Sequence, residues 1–174
     1  MIGTIQIREA IPSDAENLLN HLQKIAVETG FMTMGAEGPG KTVEAKQKEL
    51  ESILESDVTV LLVALDEKEI IGIAEIHGNE SPKLKHIGDI SISIAKDYWG
   101  IRLGTTMMER LIEWANGPTS QLKRLELTVQ ARNERARHLY EKMGFKLEAI
   151  MPRGVKDEGD YLDVCLMSMM IGEI

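Results

Sequence analysis

Residues 132–145 read Arg-Asn-Glu-Arg-Ala-Arg-His-Leu-Tyr-Glu-Lys-Met-Gly-Phe, and this stretch decides the fold. On a helix, Asn133, Ala136, Arg137 and Tyr140 share one face, flanked by Leu139 and Met143. Gly144 supplies a helix C-terminus, and Phe145 begins the next element. An amide, a small residue, a cation and a phenol on one face suit a ligand. Residue by residue, the same positions also read as an N-cap, a half-buried aromatic and an ordinary C-cap.

The full string Asn-x-x-Ala-x-x-Leu-Tyr-x-x-x-Gly-Phe resembles the signature late in the GNAT superfamily of acetyl-CoA-dependent N-acetyltransferases. All six of its fixed positions are present, as Asn133, Ala136, Leu139, Tyr140, Gly144 and Phe145. The resemblance implies that Asn133 lies against the pantetheine arm of acetyl-CoA, with Arg137 on the same face. It also implies that Tyr140 lies near the thioester sulfur and protonates the leaving thiolate.

A second motif, Tyr98-Trp99-Gly100-Ile101-Arg102-Leu103-Gly104-Thr105, falls between an expected strand and an expected helix. Glycines there let backbone approach a ligand, and the orphan N–H groups of a first helical turn bind anions. The family's pyrophosphate loop, (Gln/Arg)-x-x-Gly-x-(Gly/Ala), occupies this context. Here Trp99 takes the first position, Arg102 the fourth and Gly104 the sixth, so two of the three fixed positions depart. The resemblance assigns residues Trp99, Gly100, Ile101, Arg102, Leu103, Gly104 and Thr105 to the cofactor. Without it, the segment is a plain strand-to-helix turn. Arg102 puts a side chain where backbone approach is usual; it either crowds the phosphates or adds a cation to them.

Residues 87–95 alternate Ile90, Ile92 and Ile94 with Asp89, Ser91 and Ser93. A fully buried central strand would be apolar on both faces, so the polar face suggests a cleft. In the family this strand lends backbone groups, here near Ile92 and Ile94, to the pantetheine. An acid near its start often serves as general base, which makes Asp89 the candidate and Glu75 the next. Freeing a lysine-like amine of pKa ~10.4 at neutral pH costs about 4 kcal/mol, so a base is useful. As a plain strand residue, Asp89 is a solvated strand end.

The periodicities predict strands over 4–9, 58–65, 70–77, 87–95, 125–129, 146–150 and 161–169. Helices are predicted over 42–55, 103–116 and the 132–145 motif, and after Pro12 with Ser13 and Glu16 as a capping box. This α/β order implies a twisted mixed sheet of about seven strands with helices on both faces, in one domain over residues 1–174. It agrees with the GNAT fold, whose two central parallel strands splay around the pantetheine.

The 174 residues carry a net charge of −8, and 43% are hydrophobic. The longest largely apolar stretch, Val58 to Leu65 with Thr59 inside it, is too short to span a bilayer, and residues 1–9 do not resemble a signal peptide. A single cysteine, Cys165, excludes an intrachain disulfide and suits a reducing compartment. The four histidines have no metal-ligand spacing. Residues 96–146 carry 10 basic against 6 acidic side chains, whereas 1–95 carry 8 against 16 and 147–174 carry 2 against 6. One local basic block fits a small anionic ligand and not nucleic acid.

Gly35-Ala36-Glu37-Gly38-Pro39-Gly40-Lys41-Thr42 matches the P-loop pattern literally. Pro39, however, removes an N–H from a loop that works by donating them, and the helix after it is polar. The reading is therefore a cytoplasmic enzyme moving acetyl from acetyl-CoA to a small-molecule amine, by direct attack in a ternary complex. No nucleic acid, membrane or metal is expected, and a homodimer is left open. The acidic segments favour a cationic acceptor such as a polyamine. Two alternatives stay open: a catalytically silent CoA-binding protein of the same fold, and a P-loop nucleotide-binding protein.

Overall fold

The computed structural model describes residues 4–30 and 38–172. Seven strands form one sheet in the order β1-β2-β3-β4-β5-β7-β6. They are β1 (Gln6–Glu9), β2 (Val60–Asp66), β3 (Glu69–Gly78), β4 (Ile87–Ile94), β5 (Arg124–Gln130), β6 (Lys146–Asp157) and β7 (Asp160–Met170). Among the described residues four α-helices cover it: α1 (Ala15–Glu28), α2 (Val43–Leu54), α3 (Leu103–Ala115) and α4 (Glu134–Met143). The mixed α/β sheet agrees with the expectation from sequence.

Alternation assigns the two faces. Ala64, Ile71, Ala74 and Ile76 pack with Met107, Met108 and Leu111 of α3. Leu61, Val63, Ile70 and Ile73 pack with Leu18 of α1 and Leu50 of α2. Burying both faces of β2 and β3 explains their near-continuous apolar runs.

Two local expectations change. Pro12 opens a 3-10 turn before α1, so the acid placed to cap it is Asp14, not Glu16: Asp14 accepts the Ile11 N–H at 2.8 Å. Strand β6 continues past Ile150 to Asp157, through Pro152 and a bulge in which Arg153 has φ 55. An edge strand tolerates a proline that a central strand would not.

All neighbouring strands are antiparallel except β4 and β5. Their parallel pairing covers only Ile87–Asp89 against Arg124–Glu126. Beyond it β4 stays paired to β3 as far as Ile94, and β5 to β7 as far as Gln130. Each strand keeps its outer partner while the inner edges part, so a wedge opens in the sheet with its vertex at Asp89 and Glu126.

Candidate active site

The inner edges of the wedge are identifiable from hydrogen bonding. Ala95 donates to Ile71 O on β3, so by alternation the backbone groups of Ile92 and Ile94 face away from β3, into the gap. On β5, Arg124 donates toward β4, to His86 O, and Ala131 toward β7, to Asp163 O. The same alternation turns the backbone of Thr128 and Gln130 into the gap.

Helices α3 and α4 both begin at the open end, since each follows one of the parted strands. The first turn of α3 has no side-chain cap: its N-cap is Arg102, held in the left-handed region at φ 65. Gly100, at φ 80, completes the turn. The N–H groups of Leu103, Gly104 and Thr105 are thus first-turn donors of the kind that binds an anion. Gly104 is closely packed: a Cβ there would lie 3.3 Å from both Ile94 Cδ1 and Leu139 Cδ2, and those side-chain ends would have to shift. This glycine lets α3 sit against β4 and α4. Ile101 is exposed beside the turn.

Trp99 lies in the connection from β4 to α3. Its Nε1 donates to Ile94 O at 2.8 Å, and the Arg135 guanidinium lies 4.5 Å from the ring centre. On α4, Asn133 is the N-cap and its Oδ1 accepts the Ala136 N–H at 3.2 Å. Arg137 Nη1 donates to Ala131 O at 3.0 Å, which ties the helix to the end of β5. Tyr140 is 7% exposed and stands edge-on to Phe145, with ring centres 6.1 Å apart. Burial pushes its phenol up to about 12. Gly144, at φ 106, ends the helix by donating to Glu141 O and Tyr140 O.

The opposite sheet face carries the acids. Register makes a row across the strands: His77, Asp89, Glu126, Ser168 and Lys146. Asp89 is exposed, and its carboxyl is raised above the ordinary range by partial desolvation and then by Glu126. Glu75, beside Ser91, is also raised by burial, against the opposing pull of His77. Neither candidate base shares a face with Tyr140, which packs with the α3 core.

Sequence reading missed several residues here. Buried His21 of α1 meets Ser93 Oγ through Nε2 at 3.2 Å, and burial lowers its imidazole to about 4. Gln130 and Arg132 both donate to Gly30 O, at 2.9 and 3.4 Å, and Arg132 also meets Asp157 at 2.7 Å. A surface depression of about 330 Å³ is lined by Gly30, Arg132, Asp157 and Glu158. These contacts join segments far apart in sequence, and no local pattern signals them.

The P-loop match does not form a phosphate cradle over the residues described. Gly35, Ala36 and Glu37 lie outside the described residues. Thr42 instead caps α2, accepting the Ala45 N–H at 3.1 Å, and Lys41 pairs with Glu49 at 2.9 Å. Among the described residues no three metal-ligating side chains cluster, and no helix is long and apolar enough to cross a membrane.

A parted pair of parallel strands, with an uncapped helix N-terminus at its mouth, defines a member of the acetyltransferase (GNAT) family, and the chain belongs to that family: its model matches residues 33–145. The crystal structure of a GNAT-family acetyltransferase from Streptococcus pneumoniae is 38% identical, with a TM-score of 0.94 over 97% of this chain and 100% of that one. A phosphinothricin acetyltransferase from Sinorhizobium meliloti, solved with acetyl-CoA, shares the fold at 20% identity, with a TM-score of 0.81 over 97% and 89% of the two chains. The L-amino acid N-acetyltransferase AaaT of Escherichia coli is 26% identical over 107 residues. That match spans 62% of this chain and 65% of the relative's length.

Proposed function

We propose that the protein transfers the acetyl group of acetyl-CoA to the amine of a small-molecule acceptor, by direct attack within a ternary complex. The observation that carries this is the wedge itself. Its inner edge on β4 offers backbone groups of Ile92 and Ile94 to a pantetheine arm, with Ile94 O already accepting from Trp99 Nε1. Its mouth offers the α3 first turn and Arg102 to a pyrophosphate, with Arg137 and Asn133 on α4 beside it. Trp99, Gly100, Ile101, Leu103, Gly104 and Thr105 complete that mouth.

In this reading Asp89 takes a proton from the acceptor ammonium. The freed nitrogen forms a bond to the thioester carbon as the carbon–sulfur bond breaks. The remaining excess proton on nitrogen leaves to solvent, the thiolate takes the proton of Tyr140, whose phenol near 12 keeps it protonated beforehand, and the phenolate regains a proton from solvent. Lone buried Cys165, on β7, takes no part as a nucleophile.

The acceptor we favour is a cationic amine, polyamine-like or lysine-like. Asp89, Glu75, Glu126, Asp157 and Glu158 lie on or beside the face opposite α3, and a negative field concentrates cations. A second reading, an α-amino acid, is supported by Arg132 at the 330 Å³ depression beside two acids, and by the name of the Escherichia coli relative. A cytoplasmic location and a homodimer complete the reading; exposed Leu147, Ile150 and Tyr161 on the β6–β7 hairpin offer an apolar surface for the latter.

The test is a thermal melt with acetyl-CoA and with ATP–Mg²⁺, followed by thiol release across an amine panel. Acetyl-CoA should raise Tm and ATP–Mg²⁺ should not. Binding without thiol release for any amine would favour the silent CoA-binding protein. A cationic acceptor should lose kcat/KM steeply as NaCl rises, because salt screens over ~10 Å. Salt-independent use of a neutral or zwitterionic acceptor would reject the charge argument.

A further inference from the structure

Asp89 and Glu126 are the last paired residues of the two parallel strands, directly opposite each other at the vertex of the wedge. Like charges placed so are destabilising, and a sheet built for stability alone would avoid them. The neighbouring cation does little to relieve the pair. Arg124 gives both Nη groups to Glu148, at 2.6 and 2.9 Å, and only Nε to Glu126, at 2.8 Å. Ser168, the residue opposite Glu126 on β7, donates its hydroxyl to Glu148 as well. Glu126 is therefore held in place through one oxygen, at the register position directly opposite Asp89. The titratable groups acting on Asp89 are Glu126 from β5 and His77 from β3; Arg124, Glu148 and Lys146 stand beyond Glu126 in the same region.

We propose that Glu126 is a positioning residue for Asp89: the two carboxylates, both ionised before the step, take up the acceptor's proton at the vertex of the wedge and hold it between them. The inference rests on the reading of Asp89 as the base. Glu126 makes Asp89 a stronger proton acceptor than a lone surface aspartate. In the step it serves, an N–H bond of the acceptor ammonium breaks and an O–H bond forms on Asp89. That proton later leaves to solvent, and no electrons are transferred. Two interacting carboxyls titrate as a unit, so the effect belongs to the pair. The Arg124–Glu148 ion pair fixes the orientation of the guanidinium that steadies Glu126, which links the vertex to the edge strand β6.

The experiment uses the intact protein and two readouts. Carboxyl-carbon NMR, without acceptor, should show Asp89 titrating above the ordinary aspartate range. Glu126→Gln should move that titration to lower pH while leaving Tm near the parent value, because glutamine still accepts the Arg124 Nε–H. Glu126→Asp should restore part of the shift. The acid limb of kcat/KM should follow the NMR displacement in both variants; a purely structural role would lower activity at every pH and leave the limb in place. An Asp89 signal in the ordinary range, unmoved by Glu126→Gln, overturns the proposal. An acid limb that ignores both Asp89→Asn and Glu126→Gln also overturns it, together with the base assignment, while acetyl transfer, read by thiol release, stands or falls separately.

Discussion

The Arg135 guanidinium lies 4.5 Å from the centre of the Trp99 ring, so a residue on the first turn of α4 reaches across the mouth of the wedge to one that precedes α3. Trp99 in turn donates to Ile94 O, a carbonyl on the inner edge of β4. A cation near a helix N-terminus opposes the helix dipole, so helix stability does not explain Arg135. In a Trp114→Phe background, acetyl-CoA should change Trp99 emission, and Arg135→Ala should change it without ligand. The loss of stability should be small, about 0.5–1 kcal/mol for an exposed cation–π pair. Calorimetric binding of acetyl-CoA with unmoved Trp99 emission would place the cofactor elsewhere.

Tyr140→Phe should lower kcat by ~10-fold or more and leave acetyl-CoA affinity nearly unchanged, as for an interaction made mainly in the transition state. The phenol lies near 12, so it remains protonated through the working range and should impose no limb of its own below that pH. Steady-state kinetics with calorimetry checks both points. Unchanged turnover would hand the thiolate's proton to water or to the acceptor.

Arg102 holds a left-handed backbone conformation, φ 65, that costs a non-glycine residue about 1 kcal/mol. Arg102→Gly should therefore raise Tm. If its side chain meets a phosphate, the same change should weaken acetyl-CoA binding by ~10-fold, the worth of one charge-assisted hydrogen bond. Stability and affinity should thus move in opposite directions. A variant that binds acetyl-CoA more tightly would show that the side chain crowds the phosphates.

Arg8 grips Asp14 with two hydrogen bonds, at 2.7 and 2.9 Å, and so ties β1 to the start of α1. The hydrogen bonds from Arg8 are the main reason that the Asp14 carboxyl lies below its usual range, and the Ile11 N–H adds to them. Because the folded value is depressed, the stabilisation is complete above the unfolded value near ~4 and fades as pH falls through the folded one. Asp14→Asn should cost about 2 kcal/mol at pH 7. Urea melts should show the difference shrinking on acidification below pH ~4. A difference that is constant with pH would mean that the ion pair contributes little.

Helix α4 shows how far local signals reach. Asn133 and Gly144 mark its ends in the sequence and cap it in the structure, because caps and the 3.6-residue period are properties of neighbouring residues. The seven strands were legible for the same reason, with period-two alternation or short apolar runs between turns. Where the signal was ambiguous, position in the sheet decided it. Pro152 and Gly154 look like strand breakers, yet they lie inside β6 because it is the edge strand.

By itself the sequence determined the elements, their order, the αL-prone turn at Gly100 and the helix face bearing Asn133, Arg137 and Tyr140. Only the tertiary structure decided where the parallel pairing stops, and so which acids meet. Asp89 was visible as one polar position on an alternating strand. Its partner Glu126 lies on another strand, and their meeting depends on the register of that pairing. The contacts of Gly30 with Gln130 and Arg132, and of Arg135 with Trp99, have the same origin. Local sequence sets backbone preference over a few residues, whereas strand register and helix docking are set by burying both sheet faces at once, which no single segment encodes.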